Sequence, residues 1–215
     1  MQKSSSHTPY LILAVAMGLA FAAGLTVQQW VKPNAPGAEV PGLLWPAARP
    51  LPDFVLKDYE GRDFDRGAFL NKWSLVFFGF THCPDICPTT LATLNSAFPE
   101  LQSNGHFGET GQVVFISVDP ERDGPEQLKQ YVSYFNRAFH GVTGSEEMLT
   151  TLAQSIGALF VRVPIAKDEY TMDHSAGVFL IDPKGRLVGL LRPPHTPARI
   201  VEHFSAIADF VDAQG

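Results

Sequence analysis

Cysteine is scarce: the 215 residues hold two, Cys83 and Cys87. A secreted disulfide scaffold needs more thiols, spread further along the chain, so that class is excluded. Positive charge is short as well. Lys and Arg number 16 against 22 Asp and Glu, a formal charge of −6. No acid precedes Glu39, so a domain without the N-terminus, and hence without Lys3, is slightly more acidic still. Such a surface repels nucleic acid and anionic lipid, and neither is an expected partner. Long apolar runs are missing beyond residue 27, which excludes a polytopic membrane protein. Hydrophobic residues make up 45% of the chain and charged ones 18%, which excludes a disordered or collagen-like chain. No internal repeat is visible.

What is present begins with an address. Tyr10 to Val27 is 18 residues without a charge or a proline, near the lower end of the about 17–25 that span a bilayer. Lys3 and the α-amino group precede it, and Trp30 follows at the depth where an indole favours the interface. Positive charge is retained on the cytoplasmic side, so the remainder lies outside. Ala20-Phe21-Ala22 resembles a signal-peptide cleavage site, but the h-region of such a peptide usually runs only about 7–15 residues. A mitochondrial presequence is not expected, because no arginine precedes the apolar run. The expected organisation is a cytoplasmic N-terminus over 1–9, a transmembrane anchor over 10–29, a linker over 30–52 and one domain over 53–215. The expected location is a bacterial inner membrane, crossed once, with the C-terminal domain in the periplasm. Six prolines between Lys32 and Pro52 make the linker an extended spacer of about 3.1 Å per residue. Whether Trp45 docks on the domain is left open by the sequence.

The domain reads as mixed α/β. Phe54-Val55-Leu56 and Arg62-Asp63-Phe64 flank Tyr59-Glu60-Gly61, an expected N-terminal β-hairpin. Ser74 to Phe80 and Val113 to Val118 are nearly all apolar, as strands buried on both faces should be. Leu91, Leu94, Ala97, Phe98 and Leu101 fall at helical steps over Thr89–Leu101. Pro125 opens a helix with Leu128, Val132 and Phe135, and Glu146 to Ile156 forms another. A strand is expected near Phe160–Val163. Gly177–Ile181 and Arg186–Leu191 flank the turn former Asp182-Pro183-Lys184-Gly185, a second hairpin. Thr196-Pro197 caps a last helix through Phe210. The order β-β-β-α-β-α-α-β-β-β-α predicts a sheet sandwiched by helices, a thioredoxin-like fold with an N-terminal hairpin extension.

Both thiols lie in Thr81-His82-Cys83-Pro84-Asp85-Ile86-Cys87-Pro88, between a buried strand and a helix. Pro88 fits a first helical position, which places Cys87 at the helix N-terminus, where free N–H groups and the helix dipole lower a thiol pKa. A thiolate is both a nucleophile and a metal ligand. The pair can close as a disulfide or grip one soft ion with a third ligand. His174, just before the strand Gly177–Ile181, is a candidate, in a loop that a thioredoxin-like sheet brings beside the active-site helix. Two thiolates and an imidazole favour copper, as Cu(I) or as Cu(II) in a tetragonal site, whereas zinc wants a fourth ligand. Taken alone, a histidine so far along the chain is more often a surface residue.

Three segments then carry a resemblance. Gly79-Phe80-Thr81-His82-Cys83-Pro84-Asp85-Ile86-Cys87-Pro88, Ser117-Val118-Asp119-Pro120-Glu121-Arg122-Asp123 and Asp173-His174-Ser175 resemble the signature segments of the Sco/SenC copper proteins, in the family's order. Gly141-Val142-Thr143-Gly144 and Asp182-Pro183-Lys184-Gly185 fit as well. The resemblance spans roughly Asp53 to Phe210. It implies a membrane-anchored, thioredoxin-like protein that binds copper through Cys83, Cys87 and His174. It also implies a role in assembling the CuA centre in subunit II of cytochrome c oxidase, by delivering copper, by reducing that subunit's cysteines, or by both. An upstream periplasmic copper donor is a further expected partner. The enzymatic alternative is a thiol-disulfide oxidoreductase acting on cysteines of oxidase subunit II or of other periplasmic proteins, which needs Cys83 and Cys87 but not His174 as a ligand. A thiol peroxidase ranks last: Thr81 could serve it, but no arginine is near the cysteines in sequence.

Among the neighbours, Asp173 is weighed evenly as a group orienting His174 and as a solvated loop carboxylate. Met172 is not expected as a ligand. His82 is expected to be a loop hydrogen-bonder, and Asp85 to face solvent or a partner. Asp119 to Asp123 follows a central strand at its C-terminal end, where ligand-facing loops gather, and reads either as a docking surface or as a turn. His195 is assigned no role, and His7, His106, His140 and His203 are expected at the surface.

Overall fold

The structure is a computed structural model that describes residue 17, residues 40–44, 48–167 and 169–214. The chain divides into Met1–Glu39 and Val40–Gly215. Apart from Met17, the expected anchor over 10–29 lies outside the described residues, as does Trp45. Among the described residues no helix is long and apolar enough to cross a membrane.

The second unit carries strands β1 (Arg49–Pro50), β2 (Val55–Asp58), β3 (Asp63–Asp65), β4 (Ser74–Gly79), β5 (Gln112–Ser117) and β6 (His140–Thr143). They are followed by β7 (Phe160–Ala166), β8 (Glu169–His174), β9 (Val178–Ile181) and β10 (Arg186–Leu191). The helices are α1 (Ile86–Ser103), α2 (Pro125–Phe135), α3 (Glu146–Ile156) and α4 (Pro197–Ala213). Eight strands form one sheet in the order β1-β10-β9-β4-β5-β6-β2-β3, and β7 and β8 form a separate ribbon. The expected mixed α/β architecture and its N-terminal hairpin are present. In the hairpin Leu56 pairs with Phe64, and the turn is closed by Asp58 Oδ1, which accepts the N–H groups of Glu60 and Arg62.

Apolar runs decide the centre of the sheet. β4 and β5 are buried at every position and pair in parallel, with Phe77 beside Phe115 and Gly79 beside Ser117. β9 flanks β4 antiparallel, its Val178 beside Phe77. Helix α1 packs against α4 and α2, and α4 against β10. Thr196 caps α4 as its sequence predicts, its side chain accepting the Arg199 N–H at 3.3 Å.

Four elements differ from the sequence reading. β6, four residues between helices, went unpredicted because only Val142 is a strongly apolar strand former; its neighbour β5 supplies the pairing. The segment before His174 is not a loop but β8, paired antiparallel with β7 from Phe160↔His174 to Ala166↔Glu169. Helix α1 begins at Ile86, two residues before Pro88. The described part of the stretch read as a linker runs antiparallel along β10. Gly42 O accepts the Leu190 N–H at 2.8 Å, the Leu44 N–H donates to Val188 O at 2.9 Å, and Arg49 pairs with Leu187. Leu51 joins the core at 4% exposure.

Candidate metal centre

The first turn of α1 is built over β4. Gly79 ends the strand, and a β-carbon there would lie 2.7 Å from Cys87 Sγ, so only glycine lets that sulfur settle on the sheet. Asp85 stands at the N-cap position without a side-chain cap bond, and Ile86, Cys87 and Pro88 are the first three helical residues. Proline is tolerated there because first-turn N–H groups have no partner within the helix. The free Cys87 N–H instead donates to Cys83 Sγ at 3.4 Å. Cys83 is half-buried and Cys87 fully buried; both are free thiols.

The two thiols are opposed in acidity, and the order is the reverse of that expected from sequence. Cys83, which precedes the helix, has its pKa lowered from 9.0 to about 5. The hydrogen bond from Cys87 is the main cause; burial opposes it, and the N–H groups of Asp85 and Cys87 add to it. Cys87 is pushed upward by its hydrogen bond to Cys83 and by burial. The helix N-terminus does stabilise a thiolate, but its N–H groups point back at Cys83 rather than at the side chain within the first turn.

His174 ends β8. The strand's period of two places Tyr170, Met172 and His174 on one face, with Met172 buried, while Asp173 turns outward and is exposed. His174 Nε2 lies 3.2 Å from Cys87 Sγ. Its Nδ1 lies 3.2 Å from Ser175 O, so an Nδ1–H donated to that carbonyl leaves the Nε2 lone pair facing the sulfurs. The Phe77 and Phe80 rings hold the imidazole edge-on, each centroid 5.9 Å away. The orienting contact weighed for Asp173 is thus made by the Ser175 carbonyl.

Cys83, Cys87 and His174 are brought together: one ligand atom from each lies within 4.8 Å of the others. Bonds of about 2.0–2.3 Å from one ion to nitrogen and sulfur place three donor atoms about 3.5–4 Å apart, inside that limit. The donors are soft and number three, a set that suits copper better than zinc.

The turn after β5 joins the two halves of this centre. Asp123, fully buried, accepts the Thr81 N–H at 2.8 Å, the Thr81 hydroxyl at 2.7 Å and the Ser117 hydroxyl at 2.6 Å. Asp119, also buried, pairs with Arg122 and accepts the Tyr170 hydroxyl at 2.9 Å. Neither carboxylate is free for a docking surface. Two acids directly after a buried strand were the signal, since a carboxylate in that place must collect donors.

Elsewhere, His82 Nδ1 lies 3.1 Å from Thr81 Oγ1, as a loop hydrogen-bonder should. Thr81 gives its proton to Asp123. Met172 packs in the core, and Asp85 is exposed. His195, given no role, donates to Ala176 O at 2.9 Å and so braces the chain between His174 and β9. His106 is not merely superficial: it sits between Asp209 at 2.7 Å and Asp212 at 3.0 Å. His140 is also drawn inward, and burial lowers its pKa. His203 is half-buried, and His7 lies outside the described residues.

Known proteins share this plan. A Stutzerimonas stutzeri protein whose name refers to copper binding is 40% identical over 152 residues, 71% of this chain and 74% of its own length. Mitochondrial SCO2 of Saccharomyces cerevisiae is 37% identical over 140 residues, 64% of this chain but 46% of its own length. The crystal structure of Arabidopsis thaliana ScoI with copper bound superposes with a TM-score of 0.69 at 31% identity, covering 74% of this chain and 98% of that one. The SCO1/SenC family model matches residues 46–209, a span that takes in both cysteines, the Asp119–Asp123 turn and His174, and the chain belongs to that family.

Proposed function

We propose that this chain is a membrane-anchored copper metallochaperone that holds one copper ion through Cys83, Cys87 and His174 and delivers it to the CuA centre of cytochrome c oxidase. The observation that carries the reading is the convergence of two thiols and one imidazole nitrogen within 4.8 Å. Copper is cargo here, so the site must both bind and release. Cys83 and Cys87 supply the strong soft ligands, from a loop and helix fixed to the sheet. His174 supplies a neutral, weaker ligand, half-buried at the end of a separate ribbon. Thiolates of an acceptor protein replace the imidazole first, because a neutral nitrogen holds Cu(I) less firmly than sulfur does. The anchor over 10–29, the single-pass inner-membrane location and the periplasmic domain belong to this proposal, on the composition of the N-terminus.

The opposed acidity of the thiols favours a second activity. Cys83, as thiolate, attacks one sulfur of an acceptor disulfide and releases the other as thiolate. Cys87 then gives its proton to the acceptor thiolate just released and attacks the Cys83 sulfur, which frees the acceptor's second thiolate. The acceptor gains two electrons, and a Cys83–Cys87 disulfide forms.

The deciding experiment presents the reduced, Cu(I)-loaded chain to the soluble CuA domain of subunit II. With reduced acceptor cysteines, copper found on the acceptor, and the CuA absorption appearing once ferricyanide removes one electron from the filled site, support the chaperone. Thiols appearing on an oxidised acceptor mixed with the reduced, metal-free chain, with no copper passed on by the loaded chain, support the reductase alone.

A further inference from the structure

Among the described residues the ribbon that carries His174 makes no ladder with the main sheet, so no strand pairing fixes His174 against Cys87. On one side the chain passes from His174 into β9 at Val178. On the other, β8 is held by the buried Met172 and by Tyr170, four residues before His174 on the same face, which makes directed polar contacts with the turn after β5. Its hydroxyl donates to the buried Asp119 at 2.9 Å. Its ring lies between two guanidinium groups, Arg122 Cζ at 3.8 Å and Arg162 Cζ at 4.2 Å from the centroid. Arg122 also donates to the Tyr170 carbonyl at 3.0 Å and pairs with Asp119, while Arg162 pairs with Glu121 at 2.8 Å. The turn that grips Tyr170 also grips Thr81 through Asp123, two residues before Cys83.

We propose that Tyr170, clamped by Asp119 and Arg122, is a positioning residue that sets the distance of His174 from the two sulfurs. The hydroxyl bond fixes where β8 sits along the turn, and the stacked guanidinium groups fix its tilt. The inference rests on the reading of Cys83, Cys87 and His174 as copper ligands, and its test separates the two.

The test is a double-mutant cycle on the whole chain, with Tyr170→Phe, Tyr170→Leu, His174→Ala and the double variant Tyr170→Phe/His174→Ala. Copper retention against a competing chelator, the thiolate–Cu(II) absorption and the nitrogen hyperfine coupling of bound Cu(II) are read for each. Thermal unfolding of the metal-free forms and the NMR line widths of the His174 ring complete the set. Tyr170→Phe, which loses only the hydroxyl, should lower retention about 10-fold, weaken the nitrogen coupling and broaden the His174 ring signals, with the fold retained. Tyr170→Leu, which also loses the stacking, should go further in the same direction. On the His174→Ala background Tyr170→Phe should change nothing, because a positioning effect vanishes with the residue it positions. Equal losses with and without His174 would overturn the inference and make Tyr170 a general stabiliser. An unchanged nitrogen coupling in Tyr170→Phe would overturn it as well. If His174→Ala itself leaves retention and spectrum intact, the ligand reading fails, and the positioning role with it.

Discussion

Gly79 is the floor beneath Cys87: the place a side chain would occupy on β4 is filled by the sulfur itself, 2.7 Å from the position of the missing β-carbon. The Phe115 ring closes in from the next strand at the same 2.7 Å. Sheet and site share one packing problem at this point. Gly79→Ala should destabilise the fold by about 1–3 kcal/mol, the usual cost of overpacking. It should also push Cys87 away from His174. Chemical denaturation of the metal-free protein and copper retention in the same variant measure the two effects. Full stability with full retention would mean that the helix can shift freely, contrary to this packing.

The thiols should titrate apart. Cys83, with a pKa lowered to about 5, is ionised across the neutral range, and its proton returns only as the pH falls through that value. Alkylation of the reduced, metal-free protein should therefore modify Cys83 first, at a rate already near its plateau at pH 7. Cys87 should lag throughout. Cys87→Ala removes the main donor to Cys83 and should move the midpoint upward. A wild-type midpoint near 9, or Cys87 reacting first, would contradict the arrangement.

Asp123 collects three donors with no exposure to solvent: the Thr81 N–H, the Thr81 hydroxyl and the Ser117 hydroxyl. Asp123→Ala leaves all three without their acceptor and should cost about 2–4 kcal/mol. The loop that carries Cys83 should loosen with it. Hydrogen exchange at the Thr81 amide is the direct readout, and unchanged protection there would show that the bond does not hold the loop.

The segment ahead of the hairpin should prove structural. A fragment beginning at Asp53 loses the buried Leu51 and the pairing of Arg49 with Leu187, and should be less stable than one beginning at Val40 by about 2–3 kcal/mol. Equal denaturation midpoints would mean that these residues merely lie against β10.

The buried strands and the amphipathic helices were legible because each had a period or an unbroken apolar run: β4, β5, α3 and the capped α4 stand where the sequence puts them. β6 and β8 were not, because neither owes its state to its own composition. β6 is held by its neighbour β5, and β8 by its ladder with β7 and the clamp on Tyr170. The grouping of Cys83, Cys87 and His174 was anticipated through a resemblance to a family, since spacing alone left His174 a surface residue. The acidity of the thiols was anticipated in kind but assigned to the wrong sulfur. Position along a helix does not tell which side chain curls back toward its N–H groups, and here it is Cys83, two residues before the N-cap. Asp119 and Asp123 looked like a turn or a docking surface, because burial of a carboxylate depends on donors 42 and 51 residues away from them in sequence.

Copper stoichiometry and spectroscopy on the reduced chain, loaded without oxygen and compared with His174→Ala and Cys83→Ser, test the three-ligand centre most directly. One copper per chain, with binding lost or the spectrum altered in both variants, is the predicted result. Copper held equally well without His174, or no copper held beside a readily exchanged Cys83–Cys87 disulfide, would contradict it.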